Sequence, residues 1–138
     1  YYKVIKVTNS TTNGGDDFGT DTNTNHYPLS GGGIWDGWGT NVRKVNGTGS
    51  GGALASWHCV HGWSKTNDWI MKRNGTTVVS SGTNTVSFSA TPFLGRNNAP
   101  HFMKCDIAGL YLLSDKPTSD EEDDMEAYIT NKFGIVFA

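Results

Sequence analysis

"DWIMKRNGTTVVS", running from Asp68 to Ser80, decides the fold. Asn74-Gly75 stands between two β-prone runs. Both central positions of a type I′ turn need positive φ, which Asn and Gly adopt at least cost, so the stretch reads as a β-hairpin.

Strand signals extend outward from this hairpin. Upstream lies "ALASWHCVHGW" (53–63), the longest aromatic-rich strand pattern in the chain. "YYKVIKVT" at the start sets Lys3, Ile5 and Val7 against Tyr2, Val4 and Lys6, the period-2 alternation of a strand. Further strands are expected over 33–39, 41–46, 84–89 and 92–96. In "HFMKCDIAGLYLLS" (101–114), His101, Met103, Cys105, Ile107, Gly109, Tyr111 and Leu113 fall on one face. Phe102, Lys104, Asp106, Ala108, Leu110 and Leu112 fall on the other. Residues 9–25 form a polar, turn-rich connection with one apolar anchor, Phe18.

A single helix is expected after residue 118. Thr118 or Ser119 caps it, Glu121 or Glu122 completes a capping box, and acidic residues 120–124 meet the positive end of the dipole. Lys132 lies in the last turn and Gly134 stops it. Met125, Tyr128, Ile129 and Phe133 make the buried stripe, and Ala108, Leu110 and Leu112 are the apolar surface it is expected to cover.

Composition agrees with a turn-rich β protein. Eighteen of 138 residues are Gly and charged residues make up only 17%. The length suits one domain with a real core. Net charge is −2, and no Lys/Arg stripe exists to track phosphates, which argues against nucleic acid as a partner. No apolar run reaches the roughly 18 residues of a membrane span. The chain opens directly on a strand pattern rather than on Met, so it reads as part of a longer polypeptide.

"DWIMKRNGTTVV", "PFLGRN" and "HFMKCDIAGLYLLSDKPTSDEEDDMEAYITNKFGI" together resemble the C-terminal half of concanavalin A-like, laminin G-type jelly-roll domains. Residues 68–137 carry the resemblance. "HYPLSGGGIWDGWG" (26–39) is similar to segments of such domains in tail and other particle proteins of tailed phages. The resemblance implies an all-β antiparallel sandwich with one short helix near the C-terminus. It also implies upstream strands, one of them pairing near the C-terminus. Function stays open, because this sandwich hosts lectins, adhesion modules, glycosidases and spacers.

The candidate ligand site comes from "GGGIWDGWG" (31–39). On a strand, Trp35, Gly37 and Gly39 share one face, and Ile34, Asp36 and Trp38 the other. An unpaired buried Asp36 would cost several kcal/mol, so its face is read as the wet one. Trp35 then turns inward and the glycines leave packing space. Trp38 beside Asp36 offers an indole face next to a hydrogen-bond acceptor, the combination that sugar recognition needs. His26, Tyr27 and Arg43 are near enough in sequence to complete it.

Other clusters are read against simpler accounts. His58, Cys59, His61, His101 and Cys105 invite a zinc site, but His58 and His61 point to opposite faces of a strand. Cys59 and Cys105 read as buried thiols or as one disulfide. Glu121, Asp123 and Glu126 reproduce a glycosidase spacing, yet on a helix they splay at 100° per residue and serve as helix-capping charge. Asp16, Asp17 and Asp21 could hold calcium near a loop rim, although a solvated turn explains them better. The expectation is therefore a non-catalytic module with no resident cofactor, on a virion surface or outside a cell. Its partners are glycans or neighbouring particle proteins, within an oligomeric assembly. A carbohydrate-binding module of a secreted enzyme is the alternative.

Overall fold

The computed structural model describes residues 1–8, 15–19, 26–29, 33–35, 39, 45–46, 54–96 and 102–138. Among these residues the fold is mostly antiparallel β with one helix. The Asn74-Gly75 hairpin forms as expected, with φ of 46° and 82° at its two central residues. It joins β7 (Asp68–Arg73) to β8 (Thr76–Ser81). A second tight turn, with Asn67 at φ 59°, joins β7 back to β6 (His58–Lys65). These strands belong to a five-stranded sheet in the order β10-β1-β6-β7-β8, where β1 is Tyr2–Val7 and β10 is Cys105–Tyr111. β1 pairs antiparallel with β10, and β6 flanks it on its other side.

Two smaller sheets accompany it. β2 (Asp17–Gly19) pairs with β9 (Phe88–Phe93), and β3 (His26–Leu29) with β4 (Gly33–Trp35) and β5 (Val45–Asn46). β9 replaces the two strands expected at 84–89 and 92–96. Pro92 fits there because β9 has a ladder partner on one side only among the described residues.

The strand expected over 33–39 is shorter. Gly39 has φ +62°, which no extended residue takes, and a Cβ there would lie 2.3 Å from the Phe88 ring. Glycine at 39 thus serves both a left-handed backbone and close packing. Asp36, Gly37 and Trp38 lie outside the described residues.

Strict alternation along β1 sends its side chains to two different cores. Ile5 and Val7 join Tyr1, Tyr27, Leu54, Val60, Trp69 and Met71 on one face, with Phe18 from β2 packed against them. Tyr2 and Val4 join Cys59, Ile129 and Ile135 on the other, under the helix. Both faces of the central strands β1 and β6 are consequently buried, so that Lys3, His58 and His61 are enclosed along with the apolar side chains.

The helix α1 (Ser119–Phe133) has the caps the sequence specifies. Thr118 and Glu121 form the capping box, and Gly134 closes the helix at φ 70°. Ile129 is buried, Met125 and Phe133 pack beside it, and Tyr128 stays 42% exposed. Fully burying one such aliphatic side chain contributes about 1.5–3 kcal/mol.

The helix does not cover Ala108, Leu110 and Leu112. Val4 pairs with Gly109 and Ile5 with Ile107, so Ala108 is an extra residue that exchanges the faces of β10 at that point. Gly109 and Tyr111 thereby turn toward α1, whereas Leu110 and Cys105 pack in the opposite core.

Candidate functional site

Among the described residues, a cluster of interacting titratable side chains lies where α1 crosses β6 and β7. The sheet register places His61 opposite Tyr2 on one side and opposite Lys72 on the other. On α1, Glu122 and Glu126 are four residues apart, hence on one face, continuing the line of Met125 and Ile129 toward the helix N-terminus. His61 Nε2 lies 3.3 Å from Glu122 Oε1 and 3.6 Å from Glu126 Oε1. The Lys72 ammonium donates to the same Glu122 oxygen. Tyr2 stacks on the imidazole at 4.8 Å between ring centroids, and Phe137 closes a further side at 5.9 Å.

Burial sets the protonation states. It pushes the His61 pKa down to about 4, with Glu122 opposing the shift and Lys72 adding to it, so the ring is neutral at neutral pH. A carboxylate can only accept, so a hydrogen bond from His61 to Glu122 requires the proton on Nε2. His61 Nδ1 is then a buried lone pair with no partner among the described residues, and the hydroxyl of the stacked Tyr2 is likewise buried without one. Burial, reinforced by Glu122, raises the Glu126 carboxyl above the usual range. Two carboxyl groups thus face His61, and the single Lys72 ammonium pairs with Glu122.

A cleft adjoins this cluster at the β10–α1 connection. It encloses about 340 Å³, with Leu113, Pro117 and Met125 supplying apolar floor and Asp115, Lys116, Glu121 and Asp124 polar rim. Trp63 stands nearby with its Nε1–H donated to Asp68 at 2.9 Å. Lys116 lies 4.6 Å from the indole centroid and pairs with the same Asp68 at 2.7 Å. These contacts lock the indole and the loop to each other.

In comparisons with known proteins, no family model, no curated protein and no solved structure matches the chain.

The residues expected to make a sugar platform fare differently from one another. Tyr27 is in the core, 1% exposed, with its hydroxyl 2.7 Å from His58 Nε2. It points away from solvent because β3 packs its side chain into the core of the large sheet. His26 pairs with Trp35 across β3 and β4. Asp36, Trp38 and Arg43 lie outside the described residues, as do His101 and Asp21.

Asp16 is not a solvated turn residue. It is 2% exposed, ion-paired to the equally buried Lys3, and accepts the Gly95 N–H at 2.8 Å. Its carboxylate is thus committed to an internal cation rather than presented to calcium.

His58 and His61 do take opposite faces, one meeting Tyr27 and the other α1. Glu121 and Glu126 diverge as expected on a helix. However, Glu126 faces His61 while Glu121 closes the capping box, so only the second is purely capping charge. Cys59 and Cys105 are free thiols and belong to different cores, one under the helix and one on the opposite face. Burial pushes Cys59 up to about 12 and raises half-buried Cys105 as well. Without reductant, a thiol reagent is expected to find two thiols in denaturant. In the native chain at pH 8, Cys105 should react first and slowly, with Cys59 protected. An intact mass two hydrogens short of the fully reduced chain would contradict this.

The His61, Lys72, Glu122 and Glu126 cluster was not anticipated from the sequence. Its only local signal is the pair of carboxylates at i and i+4 beside Met125 and Ile129. That places two acids at the margin of an apolar stripe, where they need a partner.

Proposed function

We propose that the chain is a non-catalytic jelly-roll module of the concanavalin A-like, laminin G type. It is displayed on a virion, in the first instance a phage particle, or on another extracellular protein, where it contacts glycans or neighbouring particle proteins. One observation carries this reading: large apolar side chains remain at the described surface, among them Leu94 (49% exposed) and Phe102 (59%). They lie on the two segments joined by the Arg96–Phe102 bridge. Exposed apolar side chains grouped in this way mark surfaces that meet a partner. The core contributions of Phe18 and Tyr27 from the smaller sheets support the sandwich part of the proposal.

A carbohydrate-binding module of a secreted multidomain enzyme is the second reading. The cleft floored by Leu113, Pro117 and Met125 favours it, since a sugar ring needs an apolar surface ringed by hydroxyl partners.

Both readings meet the same pair of measurements. Sedimentation over a wide concentration range should show self-association for a particle module and a monomer for a carbohydrate module. A glycan array followed by tryptophan fluorescence titration should then find a ligand. Trp38→Ala is expected to abolish binding if the Trp-rich segment is the platform, and Asp124→Ala to weaken it if the cleft is. A chain that stays monomeric and binds no glycan would overturn both.

A further inference from the structure

We propose that His61, Glu122 and Glu126 form a binding site for a divalent transition-metal ion of the zinc class, with Lys72 acting as a competing internal cation. The three offer one imidazole nitrogen and two carboxylate oxygens, all within 4.8 Å of one another. Two ligand atoms bound at about 2.0–2.1 Å to a tetrahedral ion lie roughly 3.4 Å apart. The observed separations from His61 Nε2 are 3.3 Å to Glu122 and 3.6 Å to Glu126. The imidazole needs only to exchange tautomers, placing its proton on Nδ1, to offer Nε2 as a ligand.

Charge and chemistry favour the same occupant. Two carboxylates face a single ammonium, and a divalent ion would compensate the remaining charge. A nitrogen donor selects zinc-class ions over calcium and magnesium, which prefer oxygen-only shells. Lys72, Glu122 and Glu126 each keep part of their surface open, leaving a route in and room for a water as fourth ligand.

A second, independent feature points to this place. The Tyr2 hydroxyl is buried without a partner on the ring stacked against His61. Such a group gains from a metal-bound water nearby. His61 Nδ1 has no outer partner to orient the ring, so the site is expected to bind more weakly than a closed structural zinc site.

The test is calorimetric titration of the chelator-treated 138-residue chain with ZnCl2, with CoCl2 for its visible spectrum and with CaCl2 and MgCl2 as controls. Expected are a saturable 1:1 zinc isotherm, tetrahedral cobalt bands, a rise in melting temperature, and no comparable response to calcium or magnesium. Glu126→Gln, which keeps the side-chain shape, should lose at least tenfold in affinity. His61→Ala should abolish binding, whereas Lys72→Met should strengthen it by freeing Glu122. If His61→Ala fails to fold, Glu126→Gln and Lys72→Met decide the matter. The absence of a zinc isotherm, or wild-type affinity in Glu126→Gln, would overturn the site. An unchanged affinity in Lys72→Met would overturn the competition.

Discussion

Asp16→Ala is expected to destabilise the chain by about 3–5 kcal/mol, seen as a lower urea midpoint with little change in slope. Lys3 and Asp16 have side chains 1% and 3% exposed, so the variant would leave an ammonium stranded inside the core. It would also leave the Gly95 N–H without its acceptor. Lys3→Met should cost a comparable amount by stranding the carboxylate instead. Replacing both together, as Lys3→Met with Asp16→Leu, is expected to recover most of the loss, because two desolvation penalties vanish with the pair. A cost below about 1 kcal/mol for Asp16→Ala would show that the two charges are hydrated in solution.

Trp69→Ala is the second large effect, at about 3–5 kcal/mol. The indole is 1% exposed on β7 and shares its core with Met71, Val60 and Ile5. Neighbouring side chains on a pleated sheet cannot close such a void without breaking register. Trp57→Ala provides the contrast. That ring is 41% exposed and its recorded contact is the Lys6 ammonium 5.2 Å from its centroid, so its loss should cost no more than about 1 kcal/mol. Similar losses for the two variants would mean that the face of the sheet carrying Trp69 is not packed as described.

The features legible in the sequence are those encoded within a few residues. Asn74-Gly75 specified its turn through backbone sterics alone, and Thr118, Glu121 and Gly134 specified the helix ends through groups that reach only one turn away. The features that escaped depend on distant partners. Nothing near Ala108 says that the strand gains a residue against β1, yet that extra residue decides which face α1 covers. The burial of Lys3 depends on a carboxylate in a segment whose composition reads as a wet loop. The cluster around His61 draws on a strand, its hairpin partner and a helix some 60 positions away in sequence. Its members become neighbours only once the register of β6 and β7 and the docking of α1 are both fixed.

The placement of β1 between β6 and β10 has a kinetic consequence. During synthesis β1 must wait for residues 58–65 before it acquires one neighbour, and for residues 105–111 before it acquires the other. Until then Val4 and Ile5 have no ladder to hide in, and the loop that must close is about a hundred residues long. Topologies ruled by such non-local pairing fold over milliseconds to seconds. Nascent chains that stall before β10 emerges would therefore be the species most prone to aggregate, and the ones a chaperone would engage.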